Sequence, residues 1–240
     1  MNASVEPYSP RNLGDLLRAE PAVLKRWAEG GSASSFTFQV VTILVGAGLY
    51  GAALGVWRAP LQAGYVAIKL PLILLLTMLG NAGLNAILAP LLGLNISLRQ
   101  SFAAVLASFA VAAAILGAFS PLLCFLVWNA PSLAETLRTY SSTHSLILLT
   151  NVLAIAFAGV ASNVRLLGLL RELSGQVRAA RRVLFAWLAV NLFLGSQLSW
   201  IFRPFIGSPV LPVEFLRENA LQGNFYETVF RAVVRLLNAA

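Results

Sequence analysis

The chain has 240 residues, of which 58% are hydrophobic and 11% charged, with a mean hydropathy of +0.79. Soluble domains carry about 25% charged residues, so this composition excludes a disordered chain and an ordinary cytosolic protein. The net charge of +8 comes without a basic run interleaved with aromatics, so the basic excess is assigned to membrane-proximal segments and nucleic acid is excluded as a partner.

Residues 1–35 read as a cytoplasmic amphipathic segment. Glu6, Arg11, Asp15, Arg18, Glu20, Lys25, Arg26 and Glu29 interrupt it, and no apolar run leads it, so it is not a cleavable signal. Leu13, Leu16, Leu17, Val23, Leu24 and Trp27 recur near helical spacing and predict one or two helices lying on the membrane surface. A flexible hinge, Gly30 to Ser35, follows.

Span 1 is predicted over 36–57. Ala47, Gly48, Gly51 and Gly55 place small residues four apart, which lets a second helix backbone approach closely. The pattern fits either packing within the chain or self-association through span 1. Span 2 begins near 65–69 and ends near 90–92. Its core, 69–90, would run about 33 Å as a helix, matching the hydrocarbon of a bilayer. Lys69 near its start is expected to reach the headgroups. Thr77, Asn81 and Asn85 lie four apart on one face, and that face should turn inward, because a lipid-facing amide would go unpaired.

Ser97 is placed to cap the third helix, whose span covers 101–127 without a charge and carries Pro121. A polar loop is predicted over 128–143. Span 4, over 144–164, carries Asn151. An arginine loop over 165–182 follows, with Arg165, Arg171, Arg178, Arg181 and Arg182 against Glu172 alone. It serves either as the topology signal or as a surface for anionic headgroups. Span 5, over 183–203, carries Asn191 and Gln197. Residues 204–240 form a turn rich in proline and glycine, then an amphipathic interfacial helix over about 224–238.

The expected fold class is therefore an all-α, polytopic membrane bundle of five transmembrane helices over 36–203, with amphipathic segments at both ends. Counting basic residues by side places ten on the N-terminal side and seven on the other, so the N-terminus is expected in the cytoplasm and the C-terminus outside. Trp57, Trp128 and Trp200 would then anchor the outer interface, with Trp27 and Trp187 near the inner one.

Candidate chemistry is sparse. His144 is the single histidine and Cys124 the single cysteine. No spacing of Cys, His, Asp or Glu suggests a metal, no phosphate-cradling loop or nucleophile elbow occurs, and no acid lies within a span. Neither catalytic residues, a metal nor a cofactor is assigned. Thr77, Asn81, Asn85, Asn151, Asn191 and Gln197 remain as the functional candidates, either as bonds between helices or as the lining of a path.

Residues Leu92-Gly93-Leu94-Asn95-Ile96-Ser97-Leu98-Arg99-Gln100-Ser101-Phe102, then an Ala-rich span with Ser120-Pro121-Leu122-Leu123, resemble the Yip1 family, although Gly93 stands without a second glycine. The whole chain more closely resembles an uncharacterised group of bacterial multi-pass proteins. These share Tyr50-Gly51, Lys69 to Leu72 with Thr77, Gln197 with Trp200, Arg203-Pro204-Phe205 with Gly207 and Pro209, and Asn224-Phe225-Tyr226. The resemblance implies about five packed spans, a cytoplasmic N-terminus, a bacterial cytoplasmic membrane and a role in membrane organisation, with nothing catalytic. The function expected is a scaffold or accessory subunit whose partners are the lipid bilayer and other membrane subunits. The alternative is a small oligomeric transporter or channel with an asparagine-lined path. A wet cavity bounded by Asn81, Asn85 and Asn151 would favour transport, and paired amides in a dry core would favour the scaffold.

Overall fold

A computed structural model of the chain describes residues 14, 18, 33–130, 133–207, 211–227, 230 and 234, with backbone alone for 133–145 and 174. Of the predicted N-terminal amphipathic segment, Gly14, Arg18 and Ala33 to Ser35 are described, and the last three belong to the first helix rather than to a hinge; the rest, with Trp27, lies outside the described residues. Five helices follow in order: α1 (Ala33–Gly55), α2 (Pro60–Leu91), α3 (Leu98–Trp128), α4 (Leu133–Ser174) and α5 (Val177–Ile201). All five contain a stretch long and apolar enough to cross a membrane, and no strand occurs among the described residues.

The boundaries follow local chemistry. Pro60 opens α2 at a position where its missing N–H costs no helical bond. This puts Pro71 inside α2, and Lys69 about two and a half turns in. Ser97 caps α3 as expected: its Oγ accepts from Gln100 N at 3.2 Å, and Gln100 Oε1 accepts from Ser97 N at 2.9 Å. α2 has 32 residues and α3 has 31, about 48 and 46 Å, so both exceed a hydrocarbon layer of about 30 Å and extend past it or cross it tilted.

Two predicted loops are helical instead. Residues 133–143 belong to α4, which also holds His144. Residues 165–174 complete α4, and the break is confined to Gly175 and Gln176. The arginine segment is thus an elbow between two helices. Its charges suggested a loop, but Leu166, Leu169 and Leu170 repeat at helical spacing and are buried, and their burial carries the helix on past the span. Gly175 ends it with φ of +63°, a conformation that costs a side chain energy.

α1 packs on α2 and α3, which also touch each other; α4 lies on α3 and α5, and α5 on α2. The small residues of α1 set the approach. A Cβ on Gly51 would overlap the Val66 carbonyl, and one on Gly55 would stand 2.7 Å from the Gln62 oxygen, so this edge meets α2 running antiparallel. At Gly48 the Ala67 oxygen would stand 3.4 Å from a Cβ, and that oxygen lacks its helical donor because Pro71 has no N–H. A Cβ on Gly46 would overlap the Ala113 carbonyl, and nearer the N-terminus of both helices Phe36 stacks on Phe102 with centroids 6.0 Å apart, so α3 runs parallel to α1. Ala47 is fully buried. The small-residue face of span 1 therefore packs within the chain.

One apolar cluster joins Ile43, Ala47, Met78, Ala104 to Ala107, Leu166, Leu170, Val183 and Trp187. A second joins Tyr50, Leu54, Trp57, Val66, Leu123, Ile147 and Ala154. Two of the tryptophans expected at interfaces are thereby corrected. Trp57 is buried in the second cluster and Trp187 is fully buried in the first, because neighbouring helices reach both rings before lipid does. Trp128 is 89% exposed and Trp200 is half-buried.

Candidate functional site: the polar row of α2

The polar row begins just ahead of α2 and runs its whole length. At the N-terminal end Gln62, Tyr65 and Lys69 follow one another at steps of three and four, so they share a face, and Arg58 lies in the turn just ahead of them. The chain after α5 folds back over that face. Gln62 Nε2 donates to Pro204 O at 3.0 Å and Phe205 O at 2.8 Å. Lys69 Nζ donates to Pro204 O at 2.9 Å and reaches Glu214 O at 3.5 Å, with the Phe215 ring centroid 5.2 Å away. Arg58 Nη2 donates to Leu211 O at 3.2 Å, and the Tyr65 and Phe215 rings meet edge to face at 5.4 Å.

Lys69 is fully buried, which corrects its placement among the headgroups. A sequence window over span 2 cannot show that residues 204–205 and 214–215 return to cover it. The ammonium is satisfied by backbone carbonyls and an aromatic face, with no carboxylate beside it among the described residues.

This strap continues along α5. Trp200 Nε1 donates to Gln222 O at 3.4 Å, and Gln197 Oε1 accepts from Phe225 N at 3.3 Å. The Tyr226 hydroxyl meets Ser196 Oγ at 2.7 Å and donates to Leu192 O at 3.3 Å, while its ring stacks on Phe193 at 5.5 Å. Arg203 lies over the Trp200 ring at 3.4 Å. The predicted C-terminal helix begins where Asn224 Oδ1 accepts from Glu227 N at 2.7 Å. Phe225 to Glu227, Phe230 and Val234 are helical, and the rest of 228–240 lies outside the described residues.

Deeper in α2, Thr77, Asn81 and Asn85 are all buried. They face α5 in an antiparallel register: Thr77 beside Gly195, Gly80 beside Leu194, and Asn81 Nδ2 donating to Asn191 Oδ1. One turn further, the same register brings Asn85 level with Trp187. Neither the Asn85 amide nor Trp187 Nε1 finds a protein partner among the described residues. Asn151 belongs elsewhere: its Oδ1 accepts from Tyr50 OH at 2.8 Å, tying α4 to α1.

The intramembrane candidates thus fall into separate groups. Asn81 and Asn191 join α2 to α5; Asn151 joins α4 to α1; Gln197 holds the strap. An open groove of about 300 Å³ between α3 and α4 is lined by Phe119, Leu122, Leu123, Leu153, Ala154 and Phe157 with Thr150, a surface suited to hydrocarbon. Of the five arginines, Arg165 folds back on Ala161 O at 2.9 Å, while Arg171, Arg178, Arg181 and Arg182 are exposed around the elbow. Reading the sequence missed Tyr50 and Gln62. Their partners lie about a hundred residues or more away, and no local pattern marks them.

Five helices able to cross a bilayer, arranged around an apolar core, define a polytopic integral membrane protein. No family model, curated protein or solved structure matches the chain.

Proposed function

We propose that the protein is a non-enzymatic membrane scaffold or an accessory subunit of a larger membrane complex. Its N-terminus and the α4–α5 elbow lie in the cytoplasm of a bacterial cell, and the strap lies outside. The orientation rests on the ten basic residues of the N-terminal side, five of which gather at or beside the elbow. One observation carries the functional reading. The amides that would have to line a path are distributed over two separate helix pairs, Tyr50–Asn151 and Asn81–Asn191. Each bond of this kind contributes about 0.6–2 kcal/mol to helix association. By contrast, α4 turns Leu149, Leu153, Phe157, Val160 and Val164 outward, a broad apolar face open to lipid or to another subunit.

A photoreactive side chain at Leu153 or Val160 tests this in native membranes. A scaffold gives a discrete protein adduct at one of these positions, and the purified protein in liposomes takes up no solute. Lipid adducts alone, together with saturable uptake that Asn81→Leu abolishes, would replace the scaffold with a transporter.

A further inference from the structure

α5 carries an exposed stripe formed by Arg178, Arg182, Phe185, Ala189 and Leu192. The steps of four, three, four and three keep them on one face, with exposed Arg181 beside Arg182. Phe185 is 77% exposed and Leu192 71%. The three arginines have no carboxylate partner among the described residues, and no acid lies in the first turn of α5, so the positive end of the helix dipole adds to their field.

The stripe has the dimensions of a lipid. From Arg182 to Leu192 it runs about 15 Å, the hydrocarbon depth of one leaflet. Its far end is closed by Tyr226, which bonds to Leu192 O and stacks on Phe193. Guanidinium groups match phosphate oxygens in a two-pronged geometry, and an anionic headgroup brings no cation of its own to oppose them. We propose that this stripe binds one anionic phospholipid. The phosphate sits among Arg178, Arg181 and Arg182, and an acyl chain lies along Phe185, Ala189 and Leu192 up to Tyr226. The arginines supply the choice of headgroup; the apolar stripe supplies the distinction between a lipid and a free phosphate.

The test uses the full chain in nanodiscs of equimolar phosphatidylglycerol and phosphatidylcholine, with retained lipid read by native mass spectrometry. The wild type should retain phosphatidylglycerol preferentially, and excess inorganic phosphate should not displace it. Arg182→Gln should lower that retention about fivefold, and the triple variant with Arg178→Gln and Arg181→Gln about fivefold for each arginine removed. Phe185→Ala with Leu192→Ala should also lower it, with the arginines intact. The single variant keeps the test open if the triple one fails to insert. Equal retention of the two lipids, or unchanged preference in Arg182→Gln and the triple variant, overturns the proposal. So does displacement by phosphate with no effect of the alanine pair, which would mark a plain anion site.

Discussion

Asn81 and Asn85 stand one turn apart on α2, equally buried, yet they differ in what they hold. Asn81 donates to Asn191, whereas both amide atoms of Asn85 lack a protein partner. Helix-to-helix hydrogen bonds in membranes contribute about 1 kcal/mol, while a buried amide left unpaired costs about 1–3 kcal/mol. Asn81→Leu should therefore lower the melting temperature in detergent, and Asn85→Leu should leave it unchanged or raise it. The opposite order would mean that Asn85 is the residue joining the two helices. Spacing alone shows that both residues face inward. It cannot rank them, because the ranking depends on which residue of α5 arrives opposite each.

Among the elements, the strap over 203–227 is the one whose position depends on few bonds. Lys69 supplies two of them, Gln62 on α2 two more, and Arg58 just ahead of α2 another. Lys69→Met keeps the apolar stem and removes the donors. Because the apolar clusters extend well beyond α2, the bundle should persist while the strap loosens. Trypsin cleavage at Arg217 should then be several-fold faster than in the wild type, with the helices still protected. An unchanged rate would show that Lys69 does not hold the strap. The strap and the elbow are also where the sequence misleads. Proline, glycine and charge mark 203–215 and 165–182 as exposed turns, yet Pro204, Phe205 and Glu214 of the first are held by donors of a helix far back in the chain. The second is helical because Leu166, Leu169 and Leu170 are buried where α4 packs on α3 and α5. The five apolar helices, the inward row of α2, the Ser97 cap and the small-residue edge of α1 were legible. Each depends on periodicity or local bonding rather than on a distant partner.

For the molecule as a whole, the account requires the inner part of the α2 row, from Thr77 to Asn85, to lie in a dry helix interface rather than along water. Single cysteines at 77, 81 and 85, in a chain with Cys124 replaced by alanine, test this directly. They would be exposed to a membrane-impermeant maleimide from both sides, with Gln176→Cys at the elbow as the accessible control. All three positions should stay unlabelled in the folded protein and react once it is denatured, while the elbow position reacts at once. Labelling at 81 and 85 in the folded protein, at a rate near that of position 176, would place water along the row and contradict the account.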